Sequence, residues 1–309
     1  MKIDIVIPAY NASATISDTL SSALSQDYLG KVIVVNDGST DDTSEIVRGF
    51  GDSVVYFEGP NRGVSAARNK AISSCEADFI VFLDADDQLL PGTLARRLQQ
   101  AKTTCAQVII TDWEEFTDDS RGVGNANFTR RAIDWERLGD DAEAAIASHV
   151  WATTSAIMYR IDLVRKVGGF RADLPVIQDA RFLFDAASSG ARFAHSDHIG
   201  ARYRISERSL SRASASRFWR DILLNGRQIE EIWRDRRTLS ADRRAVLMSI
   251  YYNAGRGLFS CGDHQYFDAI AAQQALGISI PLHSRMVAPF ARAFGLSAAR
   301  SLIQVWSRP

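Results

Sequence analysis

The segment Phe79-Ile80-Val81-Phe82-Leu83-Asp84-Ala85-Asp86-Asp87 joins an apolar run directly to a cluster of carboxylates. The run is typical of a buried central strand, and ligands of open α/β sheets bind beyond the carboxyl ends of such strands. Residues two apart on a strand point to the same side, so Asp84 and Asp86 can converge on one object. Their oxygens suit Mg²⁺ or Mn²⁺ held together with substrate phosphates. A solvated turn or a helix cap is the alternative for the same residues.

Strands alternate with helices on both sides of this segment. Buried strands are predicted at residues 3–8, 31–36, 53–57, 79–83 and 107–111, with helices between them. Asn11 or Ser13 is expected to cap the first helix, and Ser39 or Thr40 the second. The alternation predicts an α/β fold with a mostly parallel central sheet flanked by helices.

The regular pattern changes in the second half of the chain. Residues 114–131 are rich in Gly, Asn and Asp and predict a mobile loop. Further elements are then expected, namely helices at 141–148, from 162 and at 179–188, and strands at 153–159 and 192–194. Beyond residue 211 the pattern is helical. We therefore expect a catalytic domain at 1–211, with halves at 1–112 and 113–211, and a helical region at 212–309.

Composition excludes several classes of protein. The 309 residues are 46% hydrophobic and 24% charged, which is ordinary for a globular protein. A formal net charge of −1 argues against a nucleic-acid partner. The three cysteines are widely spaced and define neither a disulfide framework nor a zinc site. With no signal peptide and no apolar run of transmembrane length, we expect a cytoplasmic protein.

Four short segments, each placed after a predicted strand, carry a resemblance to a known family. They are Ile7-Pro8-Ala9-Tyr10-Asn11, Asn36-Asp37-Gly38-Ser39-Thr40-Asp41-Asp42-Thr43, Asn61-Arg62-Gly63-Val64-Ser65-Ala66-Ala67-Arg68-Asn69 and Phe82-Leu83-Asp84-Ala85-Asp86-Asp87. Their order and spacing resemble the family 2 glycosyltransferases, which have the GT-A fold. The match is strong over about the first 110 residues and weaker to residue 211.

The resemblance implies a donor site made from these segments. Pro8, Ala9, Tyr10 and Asn11 would line the nucleotide base, and Asp37 would accept a hydrogen bond from uracil or a similar base, with Gly38 allowing the tight turn. From the residues alone, Pro8 is equally a strand terminator, Asn11 a helix cap and Asp37 the start of an Asx turn.

The other two segments would hold the diphosphate. Arg68 lies in the first turns of a helix, whose free N–H groups suit phosphate, and the family places this arginine near the diphosphate or ribose. A solvated helix face is the alternative. By resemblance, Asp84 and Ala85 contact the nucleotide and Asp86 ligates a divalent cation, Mn²⁺ or Mg²⁺. Asp87 is expected to cap the following turn.

The catalytic base of the family follows a Gly-Gly-Phe break, at an acidic pair that opens a helix. Here Gly168-Gly169-Phe170 precedes Gln178-Asp179, so glutamine replaces the first acid. Asp179 matches the second position, which the resemblance implies is the base. A simple helix cap is the alternative. Arg181 is a candidate partner that would hold Asp179 ionised.

Two further motifs bear on the reaction. The tail Tyr203-Arg204-Ile205-Ser206 resembles a family segment that has histidine where Ser206 stands, while His195 and His198 are interpreted as structural or solvated. The Q-x-x-R-W motif of processive synthases is absent, which favours transfer of a single sugar. The resemblance therefore implies an inverting, metal-dependent transferase that moves a sugar from a nucleotide-diphosphate donor, a UDP-sugar above all, to a hydroxyl of a glycan or lipid-linked acceptor.

Two other kinds of function compete with this one. Neither G-x-G-x-x-G after the first strand nor a P-loop is present, which argues against a dinucleotide-dependent oxidoreductase or a nucleotidyltransferase. A nucleotide-sugar-binding or scaffold protein of the same fold that has lost catalysis stays open, because glutamine stands at 178 and serine at 206.

The carboxyl-terminal stretch has its own charge pattern. The last 41 residues contain no Asp or Glu but include Arg285, Arg292, Arg300 and Arg308. On a helix from Pro289, the apolar residues Phe290, Phe294, Leu302, Val305 and Trp306 would group on one side. Such a face either packs against protein, including a second copy in a homodimer, or lies on the inner face of the cell membrane.

Overall fold

The computed structural model describes residues 1–117, 128–139, 141–148, 150–206, 214–277, 282–299 and 301. The chain divides into two compact units. Unit 1 comprises Met1–Ile146 and Val150–Ser206, and unit 2 comprises Ala147–His149 and Glu207–Pro309.

The first half of unit 1 is a parallel sheet with helical crossovers. Its elements are β1 (Ile3–Ala9), α1 (Ile16–Leu24), β2 (Leu29–Asn36), α2 (Thr43–Arg48), β3 (Val55–Glu58), α3 (Val64–Ile72) and β4 (Phe79–Phe82). The strands lie in the order β3-β2-β1-β4, and every neighbouring pair is parallel. Strand β1 is buried along its whole length, as expected for a strand with neighbours on both sides and helices on the faces.

The second half of unit 1 extends the same sheet. Its elements are β5 (Gln88–Leu89), α4 (Thr93–Thr104), β6 (Val108–Phe116), β7 (Phe128–Arg131), α5 (Trp135–Leu138), α6 (Ala142–Ser148), β8 (Ile157–Arg160), α7 (Ile161–Val167), α8 (Gln178–Ser188) and β9 (Phe193–Arg204). The order continues β4-β8-β6-β9-β5, with β7 paired to β6. Of these pairs among described residues, only β6 with β9 is parallel. The sheet is thus parallel in its first half and mixed in its second, less parallel than the sequence predicted.

Several element boundaries differ from the sequence-based prediction. Residues 114–116 and 128–131 belong to β6 and β7 rather than to a loop, and residues 118–127 lie outside the described part. Strand β9 runs to Arg204, far beyond the predicted 192–194, because it pairs along the length of β6. The expected helix caps were also wrong, since Thr15 precedes α1 and Asp42 precedes α2.

Unit 2 consists of helices α9 (Ala215–Asp235), α10 (Ala241–Cys261), α11 (Tyr266–Ala275) and α12 (Leu282–Phe294). Its core includes Trp233 and Tyr251, both fully buried, and the Tyr251 hydroxyl donates to Glu230 at 2.6 Å. In the described residues, no helix combines the length and the apolarity needed to cross a membrane.

The carboxyl-terminal helix does not begin at Pro289 as predicted. Helix α12 begins at Leu282, contains Pro289, and ends at Phe294, just before Gly295 with φ of 84°. Among the α12 side chains that the structure describes, Met286 and Phe294 are the exposed large apolar ones. Helix α12 also contains Phe290, Arg285 and Arg292 of the predicted pattern. The remaining predicted positions lie outside the described residues, namely Arg300, Leu302, Val305, Trp306 and Arg308.

Candidate active site

The loop after β1 is joined to the loop after β2 through Asn11. The Asn11 backbone N–H donates to Ser39 Oγ at 2.9 Å, and its side-chain oxygen accepts from the Thr40 N–H at 2.8 Å. Ser39 and Thr40 are therefore bonded to Asn11 instead of capping α2. Tyr10 is half exposed, while Pro8 and Ala9 are buried in the strand beside Val35 and Asn36. Of the four predicted base-lining residues, Tyr10 and Asn11 reach the surface.

Asp37 is a buried carboxylate that holds the start of α3. Its two oxygens accept hydrogen bonds from the backbone N–H groups of Arg62 and Gly63, at 2.8 and 2.7 Å. The side chain is 8% exposed. Gly38 follows with φ of 77°, and a Cβ there would meet the Asn61 backbone nitrogen at 2.7 Å. Asp37 and Gly38 thus bring the segment at residues 36–43 into contact with the segment at residues 61–69.

A cavity of about 310 Å³ opens beside Asp37. It lies between the ends of β2 and β3 and the first turns of α3, and its lining includes Asn36, Arg62 and Lys70. A larger cavity of about 480 Å³ lies at the opposite edge of the sheet, near the starts of β1 and β4.

The carboxylates after β4 are held by a run of hydroxyl residues. Thr153, Thr154 and Ser155 belong to a short turn before β8, and all three are buried. Ser155 donates to Asp87 at 2.8 Å and Thr153 to the same oxygen at 3.3 Å, while Thr154 donates to Asp84 at 3.3 Å. From the sequence these residues were predicted to lie in a strand, and their contacts with the carboxylates were not predicted.

Asp87 is more than a turn cap. It is fully buried, and its second oxygen accepts from the Arg204 backbone N–H at 3.0 Å, which joins the segment between β4 and β5 to the end of β9. Burial first, and then the nearby charges of Asp86 and Asp84, raise the pKa of Asp87 well above its usual range. Three carboxylates therefore crowd this edge of the sheet.

The backbone around Asp86 is also fixed. Arg204 Nε donates to the Asp86 carbonyl at 3.0 Å, and the Ala85 carbonyl accepts from Thr15 and Thr19 at 2.8 and 3.0 Å. These contacts fix the main chain between Asp84 and Asp87, so the carboxylates project from a rigid segment. The Asp86 side chain is partly exposed.

Arg68 lies inside the protein, not on a solvated helix face. It is 1% exposed, and one terminal nitrogen forms an ion pair with Asp84. The other terminal nitrogen donates to the Gln178 side-chain oxygen at 2.5 Å. Its guanidinium carbon lies 4.9 Å from the centre of the Phe170 ring. Arg68 therefore connects the acidic cluster to the helix that carries Asp179.

The same helix, α3, anchors the glycine break before α8. Asn69 accepts from the Phe170 N–H at 2.7 Å and donates to the Phe170 carbonyl at 2.8 Å, and Ser65 donates to the Arg171 carbonyl at 3.0 Å. Gly169 has φ of 89°, and a Cβ there would collide with the Asn69 side chain. Ser65 and Asn69, which lie in the helix predicted to face phosphate, thus form hydrogen bonds with the second half of unit 1.

Asp179 occupies the second position of α8 and is partly exposed. Its pKa is raised by burial, against the lowering effect of the Arg68 charge and of the hydrogen bond from the Ala180 N–H. Arg181 donates from Nε to Asp185 at 2.8 Å, one turn along the helix. The charge that lowers the Asp179 pKa is that of Arg68.

The residues at this edge fit a divalent cation that is shared with a substrate. Within the described part of the chain, no group of three or more His, Cys, Asp or Glu side chains forms a metal site. Asp84 and Asp86 nevertheless offer two carboxylates, and Mg²⁺ is usually held by one or two carboxylates together with substrate phosphates. His195 contacts Asp112 at 2.9 Å and His198 contacts Thr93 at 3.1 Å, as expected for structural histidines.

Comparisons with known proteins identify the family of this chain. Residues 4–166 match the family described as Glycosyl transferase family 2, and the chain belongs to that family. It is 44% identical over 101 residues to the succinoglycan biosynthesis protein ExoU of Rhizobium meliloti, covering 31% of this chain and 29% of ExoU. The matches to the first relatives span only 18 to 30% of those proteins' length.

Solved structures show the fold. A crystal structure of Staphylococcus aureus TarS residues 1–349 in complex with UDP-GlcNAc aligns with a TM-score of 0.69 and 21% identity, over 99% of this chain and 91% of that one. The mannosyltransferase PcManGT of Pyrobaculum calidifontis, in complex with GDP-Man and Mn²⁺, aligns with a TM-score of 0.55 and 16% identity, over 100% of this chain and 88% of that one. The predicted GT-A fold is confirmed.

Proposed function

We propose that this protein transfers a single sugar from a nucleotide-diphosphate donor, most simply a UDP-sugar, to a hydroxyl group of a glycan or lipid-linked acceptor. The observation that carries the proposal is the joining of Asp84 to the Asp179 helix by the buried Arg68. The family membership, and the UDP-GlcNAc and GDP-Man held by structural neighbours, support a nucleotide-sugar donor. The similarity to a succinoglycan biosynthesis protein supports a role in surface polysaccharide or glycolipid synthesis.

The two halves of unit 1 would divide the substrates between them. In this proposal, residues 1–112 bind the donor, with Pro8, Ala9, Tyr10, Asn11, Asp37 and Gly38 around the base. Residues 113–211 bind the acceptor, and residues 212–309 form a separate helical region. The cavity beside Asp37 is the natural place for part of the nucleotide, because it adjoins the predicted base-lining segments.

Asp86 would hold the divalent cation, Mn²⁺ or Mg²⁺, together with the donor diphosphate, and Asp84 and Ala85 would contact the nucleotide. When bound, such a cation supplies charge stabilisation for the departing diphosphate. The crowding of Asp84, Asp86 and Asp87 supports this role, since a cation offsets their mutual repulsion. Arg68 would act on the donor through Asp84, because its own side chain is buried.

Asp179 would act as the general base. Its carboxylate takes the proton of the acceptor hydroxyl while that oxygen forms a bond to the anomeric carbon. The bond between the anomeric carbon and the diphosphate breaks in the same step, and the nucleoside diphosphate leaves with the electron pair, so the anomeric centre inverts. The raised pKa of Asp179 suits a base, because it moves the group closer to neutral pH.

The donor site is tested by calorimetry. We first rank nucleoside diphosphates by the rise they cause in melting temperature with Mn²⁺, since a ligand of the native state raises it. Titration of UDP, with and without Mn²⁺, should then show binding that needs the metal and that Asp86→Ala weakens. Asp173→Ala, at an exposed ion pair with Arg171, is the matched control. UDP affinity that ignores both the metal and Asp86→Ala would overturn the metal-bridged donor site.

A further inference from the structure

The orientation of the Arg68 guanidinium depends on few groups. Asp84 holds one terminal nitrogen, Gln178 holds the other, and the Phe170 ring lies alongside. Arg68 Nε is buried and has no hydrogen-bond partner among the described residues. One of the two hydrogen-bonding partners is a carboxylate and the other is a neutral amide.

Gln178 is the neutral partner and lies next to Asp179 in the first turn of α8. It is 5% exposed, so its amide is a fixed part of the site. Glutamine has no charge to cancel that of Arg68, yet its oxygen accepts a hydrogen bond as a carboxylate would. Gln178 therefore orients the Arg68 guanidinium without neutralising its charge.

The groups that face Asp179 come from four parts of unit 1. Arg68 on α3 lowers the Asp179 pKa, and Asp84 after β4 raises it. Burial, and then the Asp179 charge, raises the pKa of Tyr159 on β8. Burial raises the pKa of Tyr203 on β9, followed by the charges of Asp87, Asp84, Asp86 and Asp179. Arg68 is thus the positively charged side chain among these neighbours. A change in its position therefore alters the pKa of Asp179.

We propose that Gln178 is a positioning residue, whose side-chain oxygen holds the Arg68 guanidinium between Asp84 and Asp179. One buried cation then serves both the donor-side carboxylate and the acceptor-side carboxylate. An acid at position 178 would neutralise Arg68 and repel Asp179, and an apolar residue would release Arg68. The inference rests on the proposed function in its use of Asp179 as the base, but the geometry can be tested without that assumption.

The test compares two variants of the full chain by carbon-13 NMR titration of the Asp179 carboxyl, assigned by its loss in Asp179→Asn. Gln178→Met keeps the approximate size and removes the hydrogen bond, whereas Gln178→Glu keeps an acceptor and adds a charge. Gln26→Met is the matched control, since Gln26 is a buried amide that donates to the Ser22 and Leu90 carbonyls.

Both Gln178 variants should raise the pKa of Asp179, by about 1 unit or more for Gln178→Glu and by less for Gln178→Met, because nearby charges shift carboxyl groups by amounts of this order. An Asp179 pKa that is the same in Gln178→Met as in Gln26→Met would overturn the proposal, even if Gln178→Glu moved it. Should Gln178→Met fail to fold, Gln178→Asn, whose shorter amide cannot reach Arg68, takes its place with the same criterion.

The pH dependence of UDP-sugar turnover separates this inference from the proposed function. If Asp179 is the base, the acid limb of the rate profile should move to higher pH in both Gln178 variants, in parallel with the NMR titration. A titration that moves while the rate profile stays unchanged supports the positioning role and contradicts Asp179 as the base. A titration that does not move overturns the positioning role itself.

Discussion

Asp37 should contribute to stability as well as to donor binding. Its carboxylate accepts two short backbone hydrogen bonds, from Arg62 and Gly63, and the side chain is almost fully buried. Hydrogen bonds to charged groups contribute about 1.5–3 kcal/mol each. Since water can enter after truncation, we take the lower values and expect Asp37→Ala to destabilise unit 1 by about 3 kcal/mol.

The measurement is thermal unfolding at pH 7 without ligand. For a unit of this size, about 3 kcal/mol corresponds to a melting temperature lower by roughly 6–12 °C. Asp37→Asn should lose about half as much, because a carboxamide oxygen can replace only one of the two acceptors.

Asp42→Ala is the control for the Asp37 variants. Asp42 precedes α2, is exposed and makes no side-chain cap bond, so its truncation should change stability by no more than about 0.5 kcal/mol. If Asp37→Ala melted at the same temperature as Asp42→Ala, the structural role assigned to the two backbone bonds would be wrong.

Three further outcomes are expected. The pKa of Asp179 is raised in the folded protein, so Asp179→Asn should raise the melting temperature at pH 7. This gain in melting temperature should vanish as the pH falls through the raised pKa to below the unfolded value of about 3.9. A gain that persists in acid contradicts this prediction. Ser155→Ala removes a buried hydrogen bond to Asp87 and should cost about 1–2 kcal/mol in urea unfolding; an unchanged midpoint refutes the contact. If the carboxyl-terminal helix α12 contacts anionic lipid, the double variant Met286→Asp, Phe294→Asp should no longer co-sediment with anionic vesicles at low salt. If the unchanged protein does not bind vesicles and the double variant turns a dimer into a monomer, the result favours a subunit contact.

The donor-side segments could be predicted because their signals are local. Each apolar run specifies a buried strand, and each strand ends where polar residues begin, so the loops after β1, β2 and β4 meet at one edge of the sheet. Hydrophobic pattern and chain order suffice for this conclusion. The detailed role of Asp37 was not predictable, since its partners Arg62 and Gly63 follow the next strand.

Contacts between the two halves of unit 1 could not be predicted. Ser65, Arg68 and Asn69 resemble a phosphate-binding helix start, yet they bind residues more than 100 positions later. Such partners depend on how the second half of the chain folds back, which no local pattern specifies. The hydroxyl residues at 153–155 and the full length of β9 escaped prediction for the same reason, because their pairing is long-range.

The assignment of Asp179 as the base is tested most directly by turnover of the donor identified in the thermal screen. Asp179→Asn keeps the shape of the side chain and removes its basicity, so turnover should fall by roughly 10²–10⁴-fold while the calorimetric affinity for UDP with Mn²⁺ stays nearly unchanged. Asp173→Asn, at the exposed pair with Arg171, should retain wild-type turnover. Near-normal turnover by Asp179→Asn would contradict the account and direct attention to Asp185.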